Sequence, residues 1–286
     1  MMNKKIKIVL AGTPEFSVPI FEEIINNFDV VAIVSQPDRP ANRGYKLEPT
    51  PTKLLAQKYN IQLFQPEKIS QIYDQLAQLN FDFFVSAAFG QWVPEKVLKL
   101  AKKASVNVHG SLLPKYRGAS PIQYTLLNGD SEAGITLIYM TKEMDAGDMI
   151  AKASILVKEE DTSLELFKNL SELAKNNIVS WLSDLYNDKL VAQKQDESLV
   201  SLSPKISKEF AQIFKEDKLI ETYRKIKALN DNPGCFMFDS NNKRIKIFRA
   251  SLQPLKNALK IELSDGILYA YEYQFEGKKK VNILSK

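Results

Sequence analysis

The sequence predicts an α/β domain built on a parallel sheet, followed by a small all-β barrel of the OB type. Short apolar runs alternate with amphipathic stretches along the first two thirds of the chain, the pattern of strands covered by helices on both faces. From residue 235 onward, five short apolar runs follow one another between Asn, Asp and Gly turns, as in a small barrel. The 286 residues suit two domains, at about 100 to 200 residues each.

In chain order, residues 6–11, 30–35, 61–64, 81–88 and 105–108 are short and dominated by aliphatic and aromatic side chains, so they read as buried strands. Between them, 19–27, 52–59, 69–79 and 94–103 carry apolar residues at helical spacing. Strands at 134–140 and 151–157 and a long amphipathic helix at 163–186 complete the first domain, placed at 1–188. Residues 189–208 sustain no apolar period and read as a linker. The second domain, placed at 209–286, starts with a helix over 217–229 that Pro233-Gly234 stops. Its strands are expected at 235–238, 245–250, 258–263, 267–271 and 280–283.

Composition removes several function classes. Hydrophobic residues at 44% and charged residues at 26% exclude a disordered or low-complexity chain. The single cysteine, Cys235, cannot close an internal disulfide, and the single histidine, His109, cannot build a multi-histidine metal site. A cytoplasmic protein without a metal is expected, and a monomer. The longest charge-free apolar stretch, 83–93, is about half of the ~20 residues that span a bilayer, so no membrane partner is expected. Charge is uneven: residues 201–286 hold 17 Lys and Arg against 10 Asp and Glu, whereas residues 1–200 hold 22 against 24. A basic tail of this kind either attracts a polyanion or is a solvated lysine-rich face.

Chemistry concentrates in four segments. Strand 6–11 runs into Gly12-Thr13-Pro14-Glu15-Phe16, at the place where open α/β sheets bind ligands. One glycine is not a dinucleotide or phosphate fingerprint, so NAD and ATP are disfavoured and a tight turn is the plain reading. Residues 36–51 hold four prolines and exceed the ~2 to 6 residues usual for such connections. Two of the six arginines, Arg39 and Arg43, lie there, and Arg suits forked contacts to phosphate or carboxylate; a surface loop with incidental charge is the alternative. Asn107 and His109 are two apart at a strand end, so both side chains face the crevice, and an amide beside an imidazole begins an oxyanion site. A purely structural histidine is the competing reading. Asp145, in Met144-Asp145-Ala146-Gly147-Asp148, is a candidate to orient or deprotonate, although spacing does not bring it to His109. Ser111 and Ser120 lack the G-x-S-x-G context of a hydrolase nucleophile.

Asn107-x-His109, the Gly110-Ser111-Leu112-Leu113-Pro114 that follows, Tyr116-Arg117-Gly118-Ala119-Ser120-Pro121-Ile122 and Asp145-x-Gly147-Asp148 together resemble the folate-dependent formyltransferases, in particular those acting on tRNA, over nearly the whole chain. The resemblance implies a Rossmann-like catalytic domain and an OB-like tRNA-binding domain. It implies transfer of the formyl group of 10-formyltetrahydrofolate to the α-amino group of methionyl-initiator tRNA. Asn107 and His109 would stabilise the formyl oxygen, Asp145 would shuttle the proton, and Ser111, Leu112, Leu113 and Pro114 would wall the folate cleft. The 36–51 loop, with Arg39, Arg43 and Lys46, would enter the acceptor end, and Lys205, Ser207 and Lys208 would track the tRNA backbone. Tyr45 stands where a second Lys is common in the family. Three rivals stay open: a formyltransferase for a small amine, such as a nucleotide sugar or glycinamide ribonucleotide, a non-catalytic RNA-binding protein, and a folate hydrolase.

Overall fold

The computed structural model describes residues 5–41, 46–230 and 232–284. Their contacts divide the chain into two compact units: residues 1–117, 134–155 and 168–201, and residues 118–133, 156–167 and 202–286.

The elements of the first part are β1 (Lys7–Gly12), α1 (Ser17–Asn27), β2 (Asp29–Val34), β3 (Arg39–Ala41), β4 (Lys46–Glu48), α2 (Pro51–Lys58), β5 (Leu63–Phe64), α3 (Tyr73–Gln78), β6 (Phe83–Ala87), α4 (Glu95–Leu98), β7 (Ala104–His109), α5 (Pro121–Asn128), β8 (Glu132–Tyr139), β9 (Met149–Leu156) and α6 (Ser163–Tyr186). The main sheet runs β5-β2-β1-β6-β7-β8-β9. From β5 to β7 every pairing is parallel. The sheet changes at β8, which pairs antiparallel with β7, Asn107 lying opposite Ile138 and His109 opposite Thr136.

Burial explains the strands. β1 from Ile8 onward and all of β6 are buried, which only a sheet covered on both faces can achieve. Val9, Ala32, Val34, Phe81, Phe84, Leu76 and Val97 gather in one core cluster. Helix α6 buries Leu170, Ala174, Ile178 and Leu182 at 0% exposure, one residue per turn along a single stripe. Each large aliphatic buried in this way stabilises the fold by about 1.5–3 kcal/mol.

Three expectations change. The helix expected over 94–103 is only α4, because Lys102 and Lys103 give their N–H groups to the carbonyls of Phe81 and Asp82 instead of to a helical turn. The 36–51 loop contains the ribbon β3–β4, whose three-residue strands, one with Pro40 inside, are too short to show a period. Helix α5 was not expected from the apolar pattern; Pro121 opens it and Gly129, at φ 68°, closes it.

The second unit holds α5 and the first residues of α6 and adds α7 (Leu219–Ala228), β10 (Cys235–Phe238), β11 (Arg244–Ser251), β12 (Leu259–Leu263), β13 (Gly266–Phe275) and β14 (Val281–Asn282). Strands β10-β11-β13-β12 form an antiparallel sheet, with β14 added to β13. One edge of β13 pairs with β11 and the other is shared by β12 and β14. Register shifts in β11 between Ile247 and Ala250 bend the sheet, and the result is a half-barrel. Its concave face closes on Ile226, Cys235, Ile247, Ile261 and Leu268. Among the described residues, no helix is long and apolar enough to cross a membrane.

Candidate active site

The sheet chemistry converges at the carboxyl ends of β1, β6 and β7. Gly12 closes β1 where an added Cβ would stand 2.7 Å from the Ala87 carbonyl oxygen and from the Phe21 ring, so its role is close approach of two strand ends rather than a tight turn. Ser17 Oγ donates to the Ala87 carbonyl at 2.6 Å, and Thr13 Oγ1 and Gln36 Nε2 both donate to the Phe89 carbonyl at 3.0 Å. These bonds fix the rim of the crevice.

At the end of β7 the structure brings Asn107, His109 and Asp145 together, although 35 residues separate His109 from Asp145 in the chain. Asn107 Nδ2 lies 3.4 Å and His109 Nδ1 3.5 Å from the same oxygen, Asp145 Oδ1. Both distances are long for hydrogen bonds, so the carboxylate is within reach of both groups without being locked to either. His109 is buried, and its Nε2 lies 2.8 Å from the Tyr116 carbonyl. A carbonyl only accepts, so Nε2 carries a hydrogen and Nδ1 is the edge turned to the reaction.

Backbone strain gathers at the same place. Among the described residues, eight non-glycine residues have positive φ, and six of them are Asn or Asp, which tolerate it. The other two are Ala88 and Tyr116, at φ 47° and 64°, just after β6 and in the turn after β7. At Tyr116 the unusual backbone aims the carbonyl that orients His109. Asp145 itself sits at φ 53°.

The expected cleft residues divide. Ser111 and Leu113 are each 1% exposed: the Ser111 hydroxyl donates to the Lys115 carbonyl at 2.6 Å, and Leu113 packs with Ile138 and Met149. They brace the turn from inside, whereas Leu112 and Pro114 keep surface. Lys152 Nζ donates to the Leu113 carbonyl, and burial lowers the Lys152 pKa. Arg39 is exposed and paired with Glu67 at 2.6 Å. Arg43 and Tyr45 lie outside the described residues, as does the side chain of Lys46. Lys205 and Lys208 are exposed. The base of the 36–51 loop is clamped by Asp38, which accepts from Lys53 Nζ and, at 2.7 Å, from Gln65 Nε2.

Sequence reasoning missed Gln195. It lies in the tract without apolar period, yet it is 8% exposed and its Nε2 donates to the carbonyls of Asp145, at 2.7 Å, and Gly147, at 2.8 Å. Arg117 Nε donates to Gln195 Oε1 at 2.9 Å, and its NH2 pairs with Glu197 at 2.8 Å. Nothing in the local pattern marks Gln195, whereas the scarcity of arginine in this chain was a usable signal for Arg117.

Comparison with known proteins gives the family. Residues 4–182 match the family model for formyl transferase, and residues 205–285 that for the formyl transferase C-terminal domain. A methionyl-tRNA formyltransferase of Mycoplasmopsis pulmonis (strain UAB CTIP) is 54% identical over 97% of this chain and 96% of its own. That of Mycoplasma capricolum subsp. capricolum is 39% identical over 98% of this chain and 94% of its own. Among solved structures, the methionyl-tRNA formyltransferase from Clostridium thermocellum has a TM-score of 0.65 at 17% identity, covering 94% of this chain and 98% of its own, a likeness of fold. HypX from Aquifex aeolicus, solved in complex with tetrahydrofolic acid, has a TM-score of 0.67 at 16% identity, covering 97% of this chain and 46% of its own. With both family models matched in order and these relatives aligned over almost its full length, the chain belongs to the formyl transferase family, among the methionyl-tRNA formyltransferases.

Proposed function

We propose that Asn107, His109 and Asp145 carry the transfer of the formyl group of 10-formyltetrahydrofolate to the α-amino group of methionyl-initiator tRNA. The observation that carries this reading is the convergence of Asn107 Nδ2 and His109 Nδ1 on Asp145 Oδ1 at the carboxyl end of β7. The folate donor supplies a formyl carbon whose oxygen gains negative charge as the amine adds. Asn107 Nδ2 bears two hydrogens, and its contact with Asp145 uses one, so the other is free to meet that oxygen. With Nε2–H fixed on the Tyr116 carbonyl, His109 donates only through a protonated Nδ1. Asp145 takes the proton that the amine loses and returns one toward the leaving nitrogen.

The residues fit a folate. Leu112 and Pro114 offer partly exposed apolar surface beside the triad, and Trp92 and Met144 are 61% and 66% exposed. Trp92 Nε1 donates to the Lys142 carbonyl at 3.4 Å, which ties the indole to the start of the Asp145 loop. Such flat apolar faces with few polar partners suit a pterin. Ser111 and Leu113 shape this wall from beneath. Arg39, Arg43 and Lys46 take the acceptor end of the tRNA, and Lys205 and Lys208 its backbone. Residues 1–188 form the catalytic domain and 209–286 the tRNA-binding domain, and the enzyme works as a cytoplasmic monomer. The small-amine reading is not favoured, since the relatives at 54% and 39% identity are tRNA enzymes.

The test is to incubate the protein with 10-formyltetrahydrofolate and charged initiator tRNA and measure formylmethionine. Asn107→Ala and His109→Ala each lower kcat by about 10² to 10³. Asp145→Asn loses most activity and Asp148→Asn less. Removing Lys205 and Lys208 together reduces the slope of log affinity against log salt by about 2. A preference for an amino-sugar nucleotide over tRNA would overturn the assignment of the acceptor.

A further inference from the structure

We propose that Gln195 is a positioning residue for formyl transfer, holding the Asp145 loop in the shape that presents the carboxylate to Asn107 and His109, and that Arg117 acts through it. The proposal deepens the role given above to Asp145 and rests on it.

A primary amide is the right group for this task. The loop turns between two carbonyls, those of Asp145 and Gly147, which point to the same side chain. The two hydrogens of Gln195 Nε2 match them at 2.7 and 2.8 Å. A hydroxyl has one hydrogen, and a carboxylate has none to give. The other end of the amide fixes which way round it sits. Arg117 Nε–H donates to Oε1 at 2.9 Å, so a flipped amide would set N–H against N–H and an oxygen against two carbonyls. Arg117 is held in turn: its side chain is 10% exposed, and Glu197 accepts from NH2 at 2.8 Å and from NH1 at 3.3 Å. The Arg117–Glu197 pair thus aims Gln195, and Gln195 aims the loop.

The loop needs such a brace. Asp145 is at φ 53°, a conformation non-glycine residues rarely adopt, and the direction of its carboxylate depends on that backbone. Without the brace, the segment from Glu143 to Gly147 relaxes and the contacts near 3.5 Å to His109 and Asn107 open. The Gln195 amide bonds the loop through its backbone carbonyls and not through the Asp145 carboxylate, so it acts on the reacting atoms from outside.

The experiment is a double-mutant cycle read as single-turnover formyl transfer from 10-formyltetrahydrofolate to charged initiator tRNA. Gln195→Ala is expected to lower the transfer rate about 10- to 100-fold, with KM for the tRNA within about twofold of the parent. In the Asp145→Asn background the same substitution is expected to add nothing, because the group it positions is already disabled. Arg117→Ala is expected to fall in the same range and to add nothing to Gln195→Ala. Should Gln195→Ala fail to fold, Gln195→Met keeps the length without the amide and takes its place. A parent-like rate for the Gln195 variant, or an equal loss in both backgrounds, overturns the proposal while the Asp145 role stands. A parent-like Asp145→Asn overturns that role and this proposal with it.

Discussion

Gly147→Ala tests how closely the Asp145 loop is tailored to the sheet beneath it. Gly147 is buried, and a Cβ there would stand 2.8 Å from the Tyr139 carbonyl carbon and closer still to its oxygen, against a limit of 3.0 Å that real Cβ atoms respect. Tyr139 cannot yield, because it ends β8, opposite Val106 of β7, and its N–H is bonded to the Asp148 carbonyl at 3.1 Å. The loop must therefore move, against the bond from Gln195 to the Gly147 carbonyl at 2.8 Å. Clearing the oxygen takes a shift of roughly 1 Å, and a misplacement of that size at a reacting group costs about 10²-fold in rate. Crowding of this kind destabilises by about 1–3 kcal/mol, which a well-packed domain survives. The assay is single-turnover formyl transfer on protein whose near-UV circular dichroism matches the parent, with KM for the tRNA measured alongside. A loss near 10²-fold with KM within twofold is expected. A folded variant with parent-like turnover would refute the claim that this turn sets the position of Asp145.

Ile178→Ala, at 0% exposure in the middle of the α6 stripe, is expected to cost about 2–5 kcal/mol, read as a shift of the urea midpoint at constant slope; a loss under 1 kcal/mol would mean that the stripe does not carry the packing. The hydrogen bond from Lys53, with that from Gln65, holds the Asp38 carboxyl below its ordinary range. A depressed carboxylate stabilises the fold above its unfolded pKa of about 3.9 and loses that contribution as pH falls through the lower folded value, so the gap in stability between parent and Asp38→Asn narrows only on that descent. Denaturation series from pH 7 to pH 3 check it, and a gap that narrows already between pH 7 and pH 5 contradicts it. Burial pushes the Cys235 thiol up to about 12, so an aromatic disulfide reagent at pH 8 is expected to label it only in denaturant. Rapid labelling of the folded protein would show that the core of the half-barrel opens.

The order of strands and helices was legible because burial on two faces leaves a plain mark. The buried runs around Val9, Val34, Phe84 and Val106 are apolar wherever the sheet is covered, and the 24 residues of α6 repeat their apolar positions at helical spacing. The spacing of Asn107 and His109 also fixed that both face one side of a strand, since side chains alternate. Local signals failed where the backbone found partners elsewhere. Lys102 and Lys103 have helix-forming side chains, but the carbonyls of Phe81 and Asp82 claim their N–H groups. The antiparallel turn at β8 left no mark, because a buried strand reads alike in either direction.

The sequence by itself determined the class of the fold, the strand ends that form the crevice, and the candidate amide, imidazole and carboxylate. Tertiary structure alone decided that Asp145 meets the other two, that His109 turns Nδ1 rather than Nε2 toward it, and that Gln195 hydrogen-bonds the Asp145 loop. The physical reason is the range of the interactions. Hydrophobic periodicity is a property of neighbours in the chain, so it survives in the sequence. A hydrogen bond such as that from Gln195 to the Asp145 carbonyl, 50 residues away, depends on directions set by the whole sheet. A polar residue bound for such a partner and one bound for water are written with the same letter.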